Sequence, residues 1–223
     1  MEKLLVENPA LDRAALDVES FVLPYDAAPI TDALKRVFDV VCSLIGIVAF
    51  SPLILVIYVA IRIEDGGDGI FKQERIGYRG RRFMLYKFRT MVPHAEASGR
   101  PILCSKEDNR LTRVGAFLRH HHLDEFPQLW NVLKGEMSFV GYRPERKYFI
   151  DQIVKADPRY VRLYQLKPGL FSMATLYNGY TDTMEKMLIR LEMDLDYLEH
   201  RSLLLDMKII SLTAISIFSG KQF

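Results

Sequence analysis

The 223-residue chain lacks the motifs that would assign it to several common functional classes. It has no Gly-x-Ser-x-Gly sequence of the serine hydrolases and no glycine-rich loop of the dinucleotide-binding or P-loop type. It also has no helix-turn-helix, zinc-finger or aromatic RNA-binding signature. We therefore set those enzyme classes aside and expect no nucleic-acid partner.

Cysteine is scarce, since Cys42 and Cys104 are the only two. The first lies in an apolar segment and the second among polar residues, so we expect reduced thiols on the cytoplasmic side and no disulfide. The run His120-His121-His122 suggests a metal, but successive side chains point in different directions and cannot all bind one ion. We interpret this run as the polar end of a helix.

The first thirty residues lack an apolar stretch of the kind found in secretory signals and carry several acidic residues instead. We therefore expect no cleavable signal peptide, and we interpret residues 1–33 as a partly helical extension. A chain of this length usually forms one domain, so we expect a single catalytic unit over residues 34–223.

One long apolar run distinguishes this chain from a typical soluble domain. Residues Phe38 to Ile61 contain a single strongly polar side chain, Asp39. As a helix they would reach about 36 Å, enough to cross a bilayer core. Ser51-Pro52 interrupts the run near its middle, and cations flank both ends. A re-entrant helix over residues 37–62, with both flanks in the cytoplasm, and a proline-kinked span both remain open.

The region after the apolar run predicts a β-hairpin followed by helices. The runs Ile70 to Ile76 and Phe83 to Phe88 flank a glycine-containing turn, and their many cations require an anionic partner or water. We expect helices from Leu111 to Arg119 and from Pro127 to Gly135. Helical spacing continues from Met184 to Phe218, in a segment that packs on the core or lies at the membrane interface.

Three polar motifs are candidates for the chemistry. Asp124-Glu125 precedes a helix that starts with proline, where carboxylates, phosphate and a divalent cation could meet. Acidic residues at such positions are more often caps. Arg143, held between two glycines and a proline, could bind a diphosphate, or could pair with Glu145 on the surface. Lys167-Pro168-Gly169 presents another cation on a turn, with the same ambiguity.

Taken together, these motifs resemble the monotopic phosphoglycosyl transferases, the bacterial sugar transferases that begin glycan assembly on polyprenyl phosphate. The resemblance extends over about four fifths of the chain, with several motifs in the expected order. The matching segments are Lys35 to Asp39, Ser51-Pro52, Phe71 to Gly77, Tyr86 to Met91, Arg110 to Gly115, Leu123 to Leu133, Gly135 to Glu145, Lys167 to Gly169, Met193 to Tyr197 and Ser202 to Asp206.

The resemblance implies a mostly helical α+β fold in which a re-entrant membrane helix, a short β-hairpin and amphipathic interfacial helices surround one catalytic core. It implies that Ser51-Pro52 forms the membrane turn. It further implies residence at the bacterial inner membrane, with the catalytic domain facing the cytoplasm and the lipid bilayer as a partner. The oligomeric state, including a homodimer, stays open.

The resemblance also assigns roles within the reaction. Asp124 would attack the β-phosphate of a UDP-sugar, releasing UMP and forming a phosphosugar-enzyme intermediate that polyprenyl (undecaprenyl) phosphate then resolves. Glu125, with Asp124, would bind Mg²⁺. The substrate-binding residues implied are Arg119, Arg143, Lys87, Arg89, Pro144 and Gln128. The product would begin capsule, O-antigen or exopolysaccharide assembly.

The chain departs from the family pattern in two places. Tyr142 stands where the family usually has proline, and Phe171-Ser172 stands where Thr-Gly is frequent. These differences leave the identity of the sugar open. Large members of the family carry an additional multi-helix membrane domain ahead of the catalytic part, so this sequence resembles the small, minimal form.

Two other functions are compatible with the same residues. A single-span membrane anchor could use its basic face to bind lipid, with Asp124-Glu125 acting only as a cap. A metal-dependent hydrolase could instead cleave the nucleotide sugar with water as the acceptor. Topology and the dependence of the reaction on a lipid acceptor distinguish these alternatives from the transferase.

Overall fold

The computed structural model describes residues 29–93, 95, 108–179 and 181–218. Most of the predicted extension and Cys104 lie outside these residues. The described chain is mostly helical with two small sheets. Its helices are α1 (Pro29–Asp65), α2 (Arg113–His120), α3 (Gln128–Lys134), α4 (Lys147–Ala156), α5 (Met173–Asn178), α6 (Met184–His200) and α7 (Leu203–Phe218). Its strands are β1 (Ile70–Ile76), β2 (Arg82–Phe88), β3 (Ser138–Val140) and β4 (Gly169–Phe171).

Strands β1 and β2 form the predicted antiparallel hairpin, with Ile70 opposite Phe88 and Ile76 opposite Arg82. The turn between them is a 3-10 segment in which Arg79 and Gly80 have φ angles of 55° and 66°. Glycine adopts such angles without steric cost, which explains its use in this turn. Strand β2 begins one residue before the predicted Phe83.

Strands β3 and β4 pair in parallel through Ser138 with Gly169 and Val140 with Phe171. The amino-acid pattern did not predict this second sheet, because each strand has only three residues and no measurable alternation. The pairing joins the two glycine-containing loops that the sequence had marked separately.

Helix α1 runs without interruption from Pro29 to Asp65 and therefore extends beyond the predicted limits 37–62 at both ends. It continues through Ser51 and Pro52, where the Ser51 hydroxyl donates a hydrogen bond of 2.8 Å to the Val48 carbonyl. Within the described residues it is the one helix long and apolar enough to cross a membrane, and only 11% of its most apolar stretch is buried. A core helix of a soluble protein would be mostly buried, so α1 is an apolar surface helix.

Helix α1 contacts the rest of the domain along its whole length. Near its start, the Arg36 guanidinium donates 2.7 Å hydrogen bonds to the carbonyls of Val132 and Leu133, at the end of α3. Near its middle, the Phe50 ring lies 4.9 Å from the Phe126 ring. Towards its end, its side chains join a buried cluster formed by Ile57, Ile61, Phe88 and Leu118.

The short elements around the acidic pair begin and end at recognisable signals. The Thr112 hydroxyl accepts a 2.9 Å hydrogen bond from the Gly115 amide, so α2 begins at Arg113, two residues later than predicted. Pro127 is the N-cap residue of α3 and lies just before its first turn. Gly135 ends α3 with a φ angle of 83°, as its position in the sequence indicated.

The main hydrophobic core lies between α4, α6 and the loops that carry β3 and β4. Helix α6 contributes Met187, Leu191 and Leu195, which occupy the face predicted from their spacing. Tyr142 is fully buried in the same core. The predicted helical tail is divided in two at Arg201-Ser202, and α7 then returns along the domain with Ile209 buried.

Candidate active site

Asp124 and Glu125 lie in a 3-10 turn, Leu123–Glu125, between α2 and α3. The residue before this turn, His122, has a left-handed φ of 55°, which redirects the chain after α2. Asp124 is only 6% exposed. The prediction that these carboxylates precede a helix is confirmed, but neither carboxylate has a hydrogen bond to a backbone amide of α3 within the described residues. The pair therefore does not act as a helix cap there.

Two cationic side chains surround the acidic pair. The Lys87 ammonium, from β2, lies 2.6 Å from Glu125 Oε1 and 3.7 Å from Asp124 Oδ2. The Arg143 guanidinium donates to the same Glu125 oxygen at 3.1 Å. These contacts bring together four of the residues selected from the sequence, although they lie in three separate segments of the chain.

The two carboxyl groups differ in acidity because their surroundings differ. Burial raises the pKa of Asp124 above its usual value, against the opposing charge of Lys87. Burial acts in the same direction on Glu125, but the charges and hydrogen bonds of Lys87 and Arg143 outweigh it and lower the pKa of Glu125. In return, the charge of Glu125 raises the pKa of Arg143. Glu125 is thus the firmly ionised member of the pair.

Close packing of two loops fixes the position of Arg143. The Gly169 amide donates a 2.8 Å hydrogen bond to the Tyr142 carbonyl, and the Gly141 amide donates to the Phe171 carbonyl at 3.1 Å. A Cβ atom on Gly141 would collide with the Lys167 carbonyl oxygen, so a side chain there would separate the loops. Gly141 and Gly169 therefore allow the two loop backbones to lie in direct contact.

The predicted alternative for Arg143, a surface ion pair with Glu145, does not form. The buried Glu145 carboxylate contacts Arg75 at 3.0 Å and Arg190 at 2.8 Å. Arg190 and its neighbour Asp194, both buried in α6, were not identified from the sequence. No local signal marks Arg190, because it occupies the buried face of a helix whose pattern indicates only packing, and Asp194 was quoted only as part of the matching segment Met193 to Tyr197, without a role.

The remaining predicted substrate residues occupy different positions. Arg119, in the last turn of α2, is close enough for its charge to lower the pKa of Asp124. Gln128 begins α3 and is 3% exposed, and its amide nitrogen has no hydrogen-bond partner among the described residues. Pro144 is buried beside the acidic pair's arginine, and its carbonyl accepts a 3.1 Å hydrogen bond from Arg75. Arg89 instead forms an ion pair with Asp65 at the end of α1. The structure therefore does not bring Arg89 to the acidic pair.

The candidate metal ligands form a small donor set. Within the part of the chain that the structure describes, no group of three or more His, Cys, Asp or Glu side chains is arranged to hold a metal ion. His121 uses a ring nitrogen for a 2.9 Å contact to the Phe117 carbonyl. Asp124 and Glu125 supply two adjacent carboxylates beside Lys87 and Arg143, a donor set that fits Mg²⁺ completed by substrate phosphate and water. It does not fit an ion bound by protein groups alone.

Comparison with known proteins assigns a family to this arrangement. Residues 30–220 match the family model described as bacterial sugar transferase. The chain is 38% identical over 193 residues to the UDP-N-acetylgalactosamine-undecaprenyl-phosphate N-acetylgalactosaminephosphotransferase of Aeromonas hydrophila, covering 86% of this chain and 45% of that protein.

Two further relatives carry the name UDP-glucose:undecaprenyl-phosphate glucose-1-phosphate transferase. The protein from Klebsiella pneumoniae is 40% identical, with 84% of this chain and 41% of the relative covered. The protein from Caulobacter vibrioides is 39% identical, with 84% of this chain and 71% of the relative covered. The chain thus spans less than half the length of the first two relatives and most of the third.

Proposed function

The chain belongs to the bacterial sugar transferase family, and on this premise we propose that it transfers a sugar 1-phosphate from a UDP-sugar to undecaprenyl phosphate, releasing UMP. The names of the relatives support this reaction class. The observation that carries the proposal is the buried Asp124-Glu125 pair facing Lys87 and Arg143, a carboxylate nucleophile beside cations suited to phosphate.

In the first step, a carboxylate oxygen of Asp124 attacks the β-phosphorus of the UDP-sugar. A bond forms between that oxygen and phosphorus, the bridging bond to the α-phosphate breaks, and UMP leaves with the bonding electrons. Lys87 and Arg143 stabilise the charge on the transferring phosphoryl group and on UMP. Glu125 keeps both cations in position, because they share one of its oxygens.

In the second step, a phosphate oxygen of undecaprenyl phosphate attacks the same phosphorus. The acyl phosphate bond to Asp124 breaks, the aspartate carboxylate is regenerated, and the lipid diphosphate sugar is released. Dividing the transfer into two steps allows Arg143 and Lys87 to neutralise one incoming anion at a time. A single-step reaction would bring two anionic substrates together without this separation.

We include Mg²⁺ in the proposal because adjacent carboxylates with few other protein ligands are typical of its substrate-assisted sites. Glu125 and Asp124 would hold the ion together with substrate phosphate oxygens. When bound, the ion would supply positive charge that neutralises the diphosphate.

We also propose that α1 enters the membrane and returns to the same face. Its contacts at residues 36, 50, 57 and 61 extend along one domain, and the contact at residue 50 is with Phe126, which directly follows the acidic pair. A perpendicular span would carry the domain packed on its middle into the hydrocarbon, where unsatisfied polar groups are costly. A bend at Ser51-Pro52, with the helix lying shallowly, avoids that cost. The exposed apolar side of α7, including Leu204 and Ile215, would then lie at the interface.

This topology puts the active site at the inner face of the cytoplasmic membrane, where UDP-sugars are present. Labelling of Ala33→Cys and Asp68→Cys, both at exposed positions flanking the apolar part of α1, tests it in a background without Cys42 and Cys104. Both should react from the cytoplasmic side of sealed vesicles. Reaction from opposite sides would exclude the re-entrant helix. In this proposal the reaction is the first membrane-bound step in the assembly of a capsule, an O-antigen or an exopolysaccharide.

The reaction itself is tested by incubating the purified protein with a panel of UDP-sugars and Mg²⁺, with and without undecaprenyl phosphate. With the lipid, we expect continuous UMP release and a lipid diphosphate sugar. Without it, the covalent route allows at most about one UMP per active site and adds one phosphosugar to the protein mass.

Other results would favour the alternatives. Continuous UMP and sugar-phosphate release without the lipid would indicate a hydrolase. UMP release only when the lipid is present, with initial-rate lines that intersect, would exclude the aspartyl intermediate. No reaction with any UDP-sugar, from a protein that remains folded, would favour a membrane anchor.

A further inference from the structure

A cavity lined mainly by charged and polar side chains lies at the start of α1. Its lining includes none of the residues Lys87, Asp124, Glu125 and Arg143. It has a volume of about 190 Å³. Its walls come from five separate parts of the chain: the first three turns of α1, the hairpin turn, strand β3, the loop before β4, and the junction of α6 with α7. Its cationic and neutral polar lining includes Lys35, Arg36, Tyr78, Gln165, Lys167 and Arg201.

Most charges around this cavity are already paired. Lys35 forms an ion pair with Asp206, and Arg201 pairs with Asp32 at 3.0 Å. The carboxylate of Asp39 accepts hydrogen bonds from the Ser138 hydroxyl at 3.1 Å and the Phe139 amide at 3.0 Å.

Lys167 is the exception. Its ammonium group has no hydrogen bond or ion pair within the described residues, although the side chain is half-buried. Burial, followed by the charge of Arg36, lowers its pKa. The hydroxyl of Tyr78 and the amide of Gln165 line the same cavity and also lack a hydrogen-bond partner among the described residues. Lys167, Tyr78 and Gln165 thus offer three potential hydrogen-bond donors to one cavity. The cationic side chains that line this cavity outnumber the acidic ones.

From this arrangement we propose that the cavity binds the phosphate group of a second anionic ligand, with Lys167 as its principal contact. A phosphate would compensate the unpaired ammonium and accept hydrogen bonds from Tyr78 and Gln165. Arg36 would contribute long-range attraction while its guanidinium continues to bond the carbonyls at the end of α3. The side chains that line this cavity differ from those assigned to the phosphosugar transfer proposed above.

The adjoining space favours a lipid as the source of that phosphate. A second cavity, of about 260 Å³, shares Asp32, Lys35, Tyr197 and Arg201 with the first. It continues to Leu203 and Leu204, and Leu204 is 84% exposed at the start of α7. A phospholipid headgroup could therefore occupy the polar cavity while its glycerol and acyl chains extend past Leu204. Free inorganic phosphate could use the same donors.

The test measures the acylation rate of Lys167 in the full-length protein, by peptide mass spectrometry, with the exposed Lys155 as an internal reference. In detergent, inorganic phosphate is compared with chloride at equal ionic strength. In nanodiscs, phosphatidylglycerol is compared with phosphatidylcholine. At an anion concentration about ten times its dissociation constant, labelling of Lys167 should slow about tenfold, whereas labelling of Lys155 should not change.

The source of the phosphate follows from which condition protects Lys167. Protection by phosphatidylglycerol alone identifies a lipid headgroup, and protection by inorganic phosphate in detergent identifies a free anion. Native mass spectrometry provides a second measurement, in which Lys167→Gln should lose retained phosphatidylglycerol and Lys155→Gln should not. Equal labelling of Lys167 under all conditions, together with equal lipid retention by the two variants, would overturn the proposal.

Discussion

Two buried charge clusters lie on either side of Pro144, and they resemble each other in composition while differing in access. The first joins Asp124 and Glu125 to Lys87 and Arg143. The second joins Glu145 to Arg75 and Arg190, with Asp194 close by. Each contains a glutamate whose pKa is lowered by neighbouring cations and an aspartate whose pKa is raised by burial.

The clusters differ in how far a ligand could reach their cations. The Arg143 side chain is 35% exposed, whereas that of Arg190 is 6% exposed. An accessible cation can exchange a carboxylate partner for a phosphate, but a sealed one can only hold the carboxylate it has. The cations of the first cluster can therefore bind a ligand. The ion pairs of the second cluster, by contrast, hold the loop around Pro144 in place. This assignment leads to four predictions.

The largest effect is expected from removing the nucleophile. Asp124→Asn keeps the size of the side chain but replaces a carboxylate with a poor nucleophile, so turnover should fall by at least about 10³-fold. Because burial raises the pKa of Asp124, the amide should not destabilise the fold. The measurement is UMP release, with Asp151→Asn on the surface of α4 as the matched control. Retention of near-native turnover would remove Asp124 from the mechanism.

The second-largest effect is expected in the buried cluster around Glu145, and it should be a loss of stability. Glu145→Gln leaves Arg75 and Arg190 without their shared carboxylate, and breaking a buried pair in this way costs about 3–5 kcal/mol. The midpoint of thermal unfolding should fall by roughly 10 °C or more. Glu192→Gln, which breaks a surface pair with Arg159, should lower it by no more than about 2 °C. Similar shifts for both variants would mean that the second cluster does not stabilise the loop.

A smaller effect is expected from Arg143→Lys, and it should appear in catalysis and not in stability. Lysine keeps the charge but loses the planar guanidinium, so we expect kcat/KM to fall about 10- to 100-fold. The unfolding midpoint should stay within a few degrees of the wild type, because this cation is partly exposed. Arg82→Lys, on the exposed side of β2, is the control. A large loss of stability with unchanged kinetics would show that Arg143 stabilises the fold and does not bind the substrate.

The smallest effect is a pH dependence in the sealed cluster. Burial raises the pKa of Asp194 to about 7, against the opposing charge of Arg190. The stability that this group contributes is therefore fully present below its unfolded pKa of about 4 and is lost as the pH rises through about 7.

Asp194→Asn removes this titration, so the variant should gain stability relative to the wild type between pH 5 and pH 8. Unfolding midpoints at these two pH values provide the measurement. Glu185→Gln, at an exposed position of the same helix, should show no such trend. A difference between Asp194→Asn and wild type that is the same at both pH values would show that Asp194 keeps an ordinary pKa.

Several features could be predicted from the sequence because their signals are local. The glycine turn between Ile76 and Arg82 indicated the hairpin, and Gly135 indicated the end of α3. The helical spacing after Met184 identified the buried face of α6. The order of short motifs indicated the family, since each motif consists of residues close together in the chain. These features depend on backbone geometry and periodicity that a few neighbouring residues determine.

Other features depended on residues that are far apart in the chain. Arg89 belongs to a basic run and stays a predicted substrate ligand, but its ion pair with Asp65 could not be predicted from that run. Glu145 looked like a surface partner for Arg143, but the fold buries it against Arg75 and Arg190. Composition cannot distinguish these outcomes, because every cation in the run offers the same charge. Only the packing of strands and helices decides which carboxylate each one meets.

By itself, then, the sequence determined the helices α1, α2, α3 and α6, the hairpin and the identity of the acidic pair, because each of these depends on residues that are contiguous in the chain. It did not predict α4, α5 or the break between α6 and α7. The tertiary structure decided which cations surround that pair, which charges are buried around Glu145, and that Lys167 faces a cavity with no ion-pair partner among the residues described. The physical reason is that ion pairs and cavities depend on distances between separate segments. Chain folding sets those distances, and the spacing of residues along the sequence does not reveal them.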